Sequence, residues 1–183
     1  MIRIFDLVFS FFGLVCFLPV FILVYVILLF DTGKPLFVQE RVGKNKKIFN
    51  LIKFRTMHVQ TKSIASHLSS KSDITTLGRI LRKTKIDELP QLLNVFIGDM
   101  SLVGPRPNLP NQVDLVKLRE KHNVYSVLPG ITGLAQIQNI DMSVPKKLSK
   151  TDAEMIKNMT LKNYFMYILR TIVGFGFGDA VKK

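Results

Sequence analysis

The fold of this chain is decided by the stretch Lys83–Pro107, which reads KTKIDELPQLLNVFIGDMSLVGPRP. Apolar residues at positions 89, 92, 93, 96 and 97 recur at helical spacing. Pro90 suits the first turn of that helix, where a missing N–H costs little, and Gly98 suits the position just after its end. The pattern therefore predicts a short helix with Asp87 at or near its N-cap, where backbone N–H groups stabilise an anion.

Charged residues lie on both sides of this predicted helix. Asp87 and Glu88 are adjacent carboxylates, and the turn Gly104–Pro107 after the helix presents Arg106, whose planar guanidinium suits phosphate. In the structural interpretation, Asp87 caps the helix and Glu88 lies in its first turn. In the functional interpretation, one carboxylate is a nucleophile or base and the other binds Mg²⁺, which prefers one or two carboxylates plus substrate phosphates. Four basic residues would then meet an anionic, phosphorylated substrate: Arg79, Arg82, Lys83 and Lys85.

The composition indicates one basic domain with an apolar N-terminal segment. The 183 residues carry a formal net charge of +13, and residues 1–30 contain only Arg3 and Asp6 as charges. A basic body of this kind favours nucleic acid, an anionic lipid surface or anionic substrates. Nucleic acid is the weaker choice and is not predicted as a partner, because the first 30 residues are too apolar for a free DNA-binding domain. Cys16 is the only cysteine, so no disulfide framework and no Cys/His metal spacing is present.

The N-terminal apolar run, residues 7–30, has no charged residue and Pro19 near its middle. A straight helix of that length would measure about 36 Å, enough to cross a hydrocarbon core of about 30 Å. Pro19 predicts a kink, because it removes a helical hydrogen bond. Composition alone favours a single span over two half-helices that return to one face. Arg3 could pair with Asp6 three residues later, or act only as a positive-inside signal.

The remaining segments predict a mixed fold. Two strands, Leu36–Gly43 and Ile48–Met57, form a hairpin in which Lys53 and Arg55 share one face. Residues 58–76 read as a loop, 77–85 as a basic helix, and 129–137 as a tight loop that approaches another segment closely. Pro110 opens a helix with Val113, Val116 and Leu118 on its apolar face. Residues 146–173 are amphipathic, and their aromatic residues Tyr164, Phe165 and Tyr167 suit either a membrane interface or the protein's own core.

The segment from Asp87 to Pro107 resembles the signature of the bacterial sugar transferases, the monotopic phosphoglycosyl transferases. Two other segments are similar to motifs of that family: Gln39–Gly43 followed by Lys53–Met57, and Pro129–Gln136. The resemblance extends from Arg3 to about Ile172. The chain departs from the family pattern at Leu18, where relatives often have serine before the proline, and at Leu128, where relatives have arginine.

The resemblance implies an α+β membrane protein with three parts. Residues 1–31 would form a re-entrant helix-break-helix with its break at Pro19, so that both ends lie on the cytoplasmic face of the bacterial inner membrane. Residues 32–175 would form a mostly helical catalytic domain with a small β-hairpin and amphipathic interfacial helices on anionic lipid, followed by a tail at 176–183. The family transfers a phosphosugar from a UDP-sugar to polyprenol (undecaprenyl) phosphate, giving polyprenyl-diphosphate-sugar and UMP, as the first membrane step of glycan assembly.

The resemblance also implies a role for each candidate site residue. Asp87 would attack the β-phosphorus and form an acyl-phosphate intermediate. Glu88, with Asp87, would hold Mg²⁺. The substrate-binding candidates are Arg106, Pro107, Lys53, Arg55 and Arg82. The rival hypothesis is a non-enzymatic, basic membrane-anchored docking module, which explains the charge and the apolar run but not two adjacent acids within a basic surface.

Overall fold

The computed structural model describes residues 1–61 and 70–174, which form an α+β fold of eight α-helices and two small two-stranded sheets. In chain order the elements are α1 (Ile2–Cys16), α2 (Leu18–Asp31), β1 (Leu36–Val42), β2 (Ile48–Phe54), α3 (Thr76–Thr84), α4 (Gln91–Ile97), β3 (Ser101–Val103), α5 (Val113–Lys121), β4 (Gly130–Thr132), α6 (Leu134–Ile137), α7 (Pro145–Lys157) and α8 (Leu161–Ile172). The α+β class and the β-hairpin are thus confirmed, whereas the predicted tail at 176–183 lies outside the described residues.

The N-terminal apolar run forms two helices, α1 and α2, that meet at a bend of 59°. Among the described residues, no single helix is long and apolar enough to cross a membrane, although this bent pair together would suffice by length and composition. Pro19 lies in the first turn of α2, and the break itself is at Phe17. The physical reason is that proline cannot donate to the carbonyl four residues earlier and its ring crowds that group, so the first helix ends before it.

Arg3, at the start of α1, binds the end of α4. Its guanidinium donates to the carbonyl oxygens of Val95 at 2.7 Å, Phe96 at 3.0 Å and Met100 at 3.3 Å. These carbonyls belong to the last helical turn and the residues after it, where helical hydrogen bonds run out, although Val95 also accepts from the Gly98 N–H at 3.2 Å. The predicted pairing of Arg3 with Asp6 is therefore wrong, because carbonyl oxygens at and after the end of α4 accept from the guanidinium.

Asp6, one turn along α1, is buried and joins three elements. Its Oδ1 accepts hydrogen bonds from Ser101 Oγ at 3.0 Å, the Leu102 backbone N–H at 2.9 Å and the Tyr164 hydroxyl at 2.8 Å. A carboxylate removed from water needs such donors, since an unpaired buried charge is costly. The base of α1 is consequently part of the folded body that also contains β3 and α8.

The hairpin β1–β2 is antiparallel and pairs Leu36 with Phe54 at one end and Val42 with Ile48 at the other. Asn94 attaches it to α4. The Asn94 side chain accepts from the Ile52 backbone N–H at 3.0 Å and donates to the Asn50 carbonyl oxygen at 2.8 Å, in the manner of an added strand. This bond fixes the position of β2, and hence of Lys53, relative to the helix that follows the two carboxylates.

Strands β3 and β4 are parallel and bring Gly104 against Gly130. A Cβ atom built on Gly130 would lie 1.9 Å from the Gly104 nitrogen, so any side chain there is excluded. The Gly104 N–H donates to the Thr132 carbonyl oxygen at 2.8 Å, and the Gly130 N–H donates to Pro105 at 3.0 Å. The predicted close approach of the 129–137 segment is confirmed, and its target is the turn that carries Arg106.

The C-terminal amphipathic region is two helices, α7 and α8, separated by three residues. Tyr164 and Tyr167 are buried in a core cluster with Val103, Ile137 and Met155. The interfacial interpretation of these two tyrosines is wrong, because their face of α8 is covered by the protein's own core. Phe165 packs edge-on against Phe5 of α1 at 5.2 Å between ring centroids.

The helix predicted to open at Pro110 begins later, at Val113. Val113 is exposed, and the residues that α5 buries are Leu115 and Arg119. The predicted apolar face is therefore wrong by part of a turn. Arg119 replaces an apolar residue on the inward face because it has a buried ion-pair partner, Asp152, at 2.7 Å.

Candidate active site

Asp87 and Glu88 lie in a separate 3₁₀ turn, Ile86–Glu88, between α3 and α4. The turn begins because Lys85 adopts a left-handed conformation at φ 61°, which ends α3 and reverses the chain. Pro90, not Asp87, is the N-cap residue of α4. The predicted N-cap role of Asp87 is therefore wrong, since the 3₁₀ turn places Asp87 three residues before Pro90, outside α4.

Asp87 is the more buried carboxylate, with 5% of its surface exposed. Burial and the neighbouring charge of Glu88 raise the pKa of Asp87 to about 6, against the opposing effect of Lys53, Arg82 and Lys85. At neutral pH the carboxylate is ionised but poorly hydrated. Such a group combines negative charge with low solvation, which are the two properties of a reactive oxygen nucleophile.

Glu88 has the opposite electrostatic environment. Its Oε1 lies 2.6 Å from Arg106 Nη2. Burial alone would raise the pKa of Glu88, but Arg106, Lys85 and Lys53 outweigh it and hold the pKa down at about 2. The same pairing raises the pKa of Arg106. The adjacent carboxylates thus differ in kind, one with a raised pKa and one fixed by a guanidinium.

Lys53 is brought to the carboxylates from β2. Burial lowers the pKa of Lys53 to about 8, while the charge of Asp87 works in the opposite direction and those of Arg41, Arg82 and Arg106 add to the lowering. The ammonium also lies 5.3 Å from the ring centroid of Phe37. Arg82, from the last turn of α3, contributes to the same field and lies at this site as well.

Arg55 makes its bonds elsewhere, at the open end of the hairpin. Its guanidinium donates to the carbonyl oxygens of Lys34 at 2.9 Å and Leu36 at 3.2 Å. Strand β2 ends at Phe54, but the Arg55 guanidinium lies 5.3 Å from the Phe37 ring centroid, the ring that the Lys53 ammonium also faces, so the predicted shared face is confirmed. Pro107, the other predicted residue, follows Arg106, whose side chain contacts Glu88. The carbonyl oxygen of Pro107 accepts a hydrogen bond from Arg41 at 3.0 Å.

The site has an excess of positive charge. Five cationic side chains act on the two carboxylates or on one another: Arg41, Lys53, Arg82, Lys85 and Arg106. Against two carboxylates this leaves a balance of about +3, which calls for an anionic ligand. Among residues 1–61 and 70–174, no group of three or more His, Cys, Asp or Glu side chains forms a metal cage. Two carboxylates suit Mg²⁺ only when phosphate oxygens complete its ligands.

The comparison with known proteins decides the family. Residues 1–177 match the model of a family described as bacterial sugar transferase. The chain belongs to the bacterial sugar transferase family. The match covers both the N-terminal helix pair and the body that holds Asp87 and Glu88.

Several relatives of this sugar transferase are known. An uncharacterised sugar transferase of Haemophilus influenzae is 34% identical over 191 residues, which is 93% of this chain and 40% of the relative. An uncharacterised sugar transferase of Bacillus subtilis is 38% identical over 157 residues, 85% of this chain and 77% of the relative. A UDP-glucose:undecaprenyl-phosphate glucose-1-phosphate transferase of Caulobacter vibrioides is 38% identical over 149 residues, 76% of this chain and 56% of the relative. The chain therefore spans less than two thirds of the first and third.

Sequence reasoning missed two residues of the sugar transferase site. Arg41 lies in the Gln39–Gly43 segment that was singled out, yet strand alternation does not reveal that its guanidinium reaches Pro107. Arg119 had no signal at all, because an arginine in a charged helix reads as solvent-exposed. The contacts of both residues join positions 66 and 13 apart in the chain, which only the tertiary fold brings together.

Proposed function

We propose that this sugar transferase transfers a sugar 1-phosphate from a UDP-sugar to polyprenol phosphate, which gives polyprenyl-diphosphate-sugar and UMP. One observation carries the proposal: two adjacent carboxylates with opposite pKa shifts, Asp87 buried and Glu88 half-buried, lie among five cationic side chains. Both substrates are anionic, and the Caulobacter relative is named for this reaction with UDP-glucose and undecaprenyl phosphate. Several UDP-sugars fit the same chemistry.

In the first step, an Asp87 carboxylate oxygen attacks the β-phosphorus, the atom that bears the sugar. A bond forms between that oxygen and phosphorus, and the bond from phosphorus to the bridging oxygen breaks, so UMP leaves with the electron pair. The product on the enzyme is an acyl phosphate. In the second step, a phosphate oxygen of the polyprenol phosphate attacks the same phosphorus and releases Asp87. Glu88 is the poorer nucleophile because Arg106 holds it at 2.6 Å.

The cationic side chains stabilise the charge of the diphosphate and of the departing UMP. Arg106 binds a phosphate through its guanidinium, with Lys53 and Arg82 on the sides supplied by β2 and α3. Mg²⁺, held by Glu88 and Asp87 together with the phosphates, would neutralise the developing negative charge. Glu88 and Asp87 would supply carboxylate oxygens to this ion, and phosphate oxygens of the nucleotide would complete its ligands.

The helix pair α1–α2 serves as a re-entrant anchor in the bacterial inner membrane, with the catalytic body on the cytoplasmic face. Apolar side chains of both helices are exposed, including Phe12 and Leu23. Both ends of the pair are bonded to the same body: Arg3 binds the end of α4, and Asp31 accepts from Thr75 Oγ1 at 2.9 Å. Ends that share one folded body lie on one side, and the basic body suits anionic lipid there.

The docking-module hypothesis fits this site less well. A surface that attracts anionic lipid or an acidic partner gains from exposed cations. Here the two carboxylates are withdrawn from solvent and set against those cations, and one of them has its pKa raised to about 6. Such an arrangement weakens simple anion docking but prepares a nucleophile.

The decisive experiment omits the polyprenol phosphate. Purified protein is incubated with Mg²⁺ and each of a panel of UDP-sugars, and released UMP and intact protein mass are measured. We expect at most one UMP per enzyme and the added mass of one phosphosugar on a peptide that contains Asp87. Asp87→Asn should abolish both the UMP release and the added mass, and Glu88→Gln should slow the initial release of UMP. The matched control is Asp114→Asn, at an exposed position of α5.

Two outcomes would contradict this mechanism. An adduct on Glu88 would exchange the roles of the two carboxylates. Release of UMP only when both substrates are present, with no adduct, would replace the covalent step by direct attack of the acceptor phosphate.

A further inference from the structure

The turn Gly104–Pro107 is held from two sides by buried arginines of other elements. On one side, the Arg41 guanidinium of β1 donates to the Pro107 carbonyl oxygen at 3.0 Å and to Gln39 Oε1 at 2.5 Å. On the other side, the Arg119 guanidinium of α5 donates to the Arg106 carbonyl oxygen at 2.8 Å. Arg41 is 9% exposed and Arg119 is 1% exposed, so neither acts as a surface charge.

Asn108, the residue after the turn, continues this arrangement. Its Oδ1 accepts from Arg119 Nη1 at 2.9 Å and from the Tyr125 hydroxyl at 3.0 Å. Its backbone carbonyl accepts from the Val42 N–H at 2.9 Å. The carbonyls of residues 106, 107 and 108 therefore each have a donor, and these donors come from β1 and α5. A backbone whose consecutive carbonyls are fixed in this way has little freedom to rotate about its torsion angles.

Stability alone does not explain two buried guanidiniums here. Arg119 pairs with Asp152 through two bonds, at 2.7 Å and 3.1 Å. Replacing such a buried ion pair by apolar residues is often neutral, because desolvation offsets the attraction. Arg41 has a buried Nε without a hydrogen-bond partner among the described residues, which is a further cost. What a guanidinium adds is a rigid set of N–H directions: Nη1 of each arginine points at the turn, while Nη2 is fixed by Gln39 or Asp152.

We propose that Arg119 and Arg41 are positioning residues, which set the place and direction of the turn that presents Arg106. This inference rests on the proposed function, in which the Arg106 guanidinium binds a phosphate of the donor. Arg119 and Arg41 fix the carbonyls of Arg106 and Pro107. The backbone held in this way directs the Arg106 guanidinium to the space between Glu88 and the substrate. A displacement of about 1 Å at such a group can cost about 10²-fold in rate.

A double-mutant cycle with Arg106 tests the proposal. Arg119→Lys keeps a positive charge beside Asp152. The lysine ammonium cannot reproduce all four hydrogen bonds of the guanidinium, which reach Asp152, the Arg106 carbonyl and Asn108. We expect it to lower kcat/KM for UMP release about 10²-fold in the wild-type background. In an Arg106→Ala background, whose own activity is already low, the same change should have an effect within about twofold. Equal losses in both backgrounds would overturn the proposal, as would unchanged activity of Arg119→Lys.

Two further variants keep this test sharp. Arg41→Lys is examined in the same cycle, so the proposal can still fail if Arg119→Lys does not fold. An Arg41→Lys loss that persists without Arg106 would mean direct contact of Arg41 with substrate, against the proposal. Thr160→Ala is the matched control: it removes the side-chain cap of α8, bonded to Asn163 N–H at 3.1 Å, and should lower Tm without lowering activity.

Amide hydrogen exchange measures the same positioning without any activity. The Gly104 N–H is bonded to Thr132 at 2.8 Å and the Leu109 N–H to Gln112 Oε1 at 2.9 Å. We expect Arg119→Lys to speed exchange in the peptide 104–109 by at least about tenfold while α4 stays protected. Unchanged exchange in both lysine variants would overturn the inference. If wild-type protein released no UMP from any UDP-sugar, the proposed function would fail and exchange alone would decide.

Discussion

The ionised carboxylate of Asp87 destabilises the fold that contains it. Its pKa is raised from 3.8 to about 6, mainly by burial. The folded value exceeds the unfolded one, so the cost of ionisation is fully present above about pH 6 and disappears below about pH 4. Two pKa units correspond to about 3 kcal/mol. Stability and reactivity are therefore opposed at this residue.

Asp87→Asn should consequently stabilise the protein while it abolishes the phosphosugar adduct. We expect a gain in unfolding free energy of up to about 3 kcal/mol at pH 7 and almost none at pH 4. Chemical denaturation at the two pH values measures it, with Asp114→Asn as the exposed control. A variant less stable than wild type at pH 7 would show that Asp87 contributes a structural bond stronger than its desolvation cost.

The pH dependence of the first step should have two limbs. UMP release requires ionised Asp87, whose pKa is about 6, and protonated Lys53, whose pKa is about 8. We expect kcat/KM to rise through the first value and to fall through the second. In Lys53→Arg the alkaline limb should move to higher pH, because arginine keeps its proton there. An alkaline limb that does not move in Lys53→Arg would assign it to another group.

The sequence identified both carboxylates but could not tell one from the other. Asp87 and Glu88 are neighbours in one short motif, and nothing local distinguishes an acid that will be buried from one that will meet Arg106. That difference arises from the burial of Asp87 and from Arg106 beyond α4, which pairs with Glu88 only after folding. The N-cap argument for Asp87 as the nucleophile does not hold, because the 3₁₀ turn places Asp87 outside α4, and the proposed role now rests on burial and charge.

At the scale of elements, the contact between β3 and β4 determines where the Arg106 turn lies. Gly130 sits so close to the Gly104 nitrogen that a Cβ atom would approach it to 1.9 Å, and backbone cannot yield as a side chain can. The two glycines allow two chain segments to touch, and the turn leaves directly from that contact.

Gly130→Ala should therefore separate the strands and move Arg106. We expect a loss of about 1–3 kcal/mol in stability, as for an overpacked core, and a larger loss of UMP release. Gly33→Ala is a useful control, because its φ of +69° strains alanine while no atom lies within 4 Å of the new Cβ. Thermal unfolding and UMP release are measured on both variants. An equal loss of UMP release in Gly130→Ala and Gly33→Ala would contradict the argument.

Elements with a strong local pattern were predictable, and their partners were not. Alternation located the β1–β2 hairpin to within a few residues, and capping residues located α4. Periodicity shows which face of α8 is apolar but not what covers it, so Tyr164 and Tyr167 were equally consistent with lipid and with core. The left-handed Lys85 carried no signal, since glycine and asparagine are the usual residues there.

At the scale of the whole molecule, both ends of the helix pair α1–α2 are tied to one body, through Arg3 at the first end and Asp31 at the second. Single cysteines at Ile2 and Thr32, in a Cys16→Ser background, should therefore be labelled only from the cytoplasmic side. Labelling of position 2 from the opposite side would contradict the re-entrant proposal.

Pro19→Ala should straighten the bend and move part of the population to a single span. Leu23→Ala is the matched control within the same helix.

The bonds of Asp6 have a consequence for the order of events during synthesis. Its carboxylate leaves the ribosome well before its partners, which are Ser101, Leu102 and Tyr164, the last of them 158 positions later. The carboxylate of Asp6 must therefore wait for 158 further residues before its last hydrogen bond can form. Nascent chains arrested before Tyr164 should thus lack the bond between α1 and α8, and such incompletely folded chains are prone to aggregate.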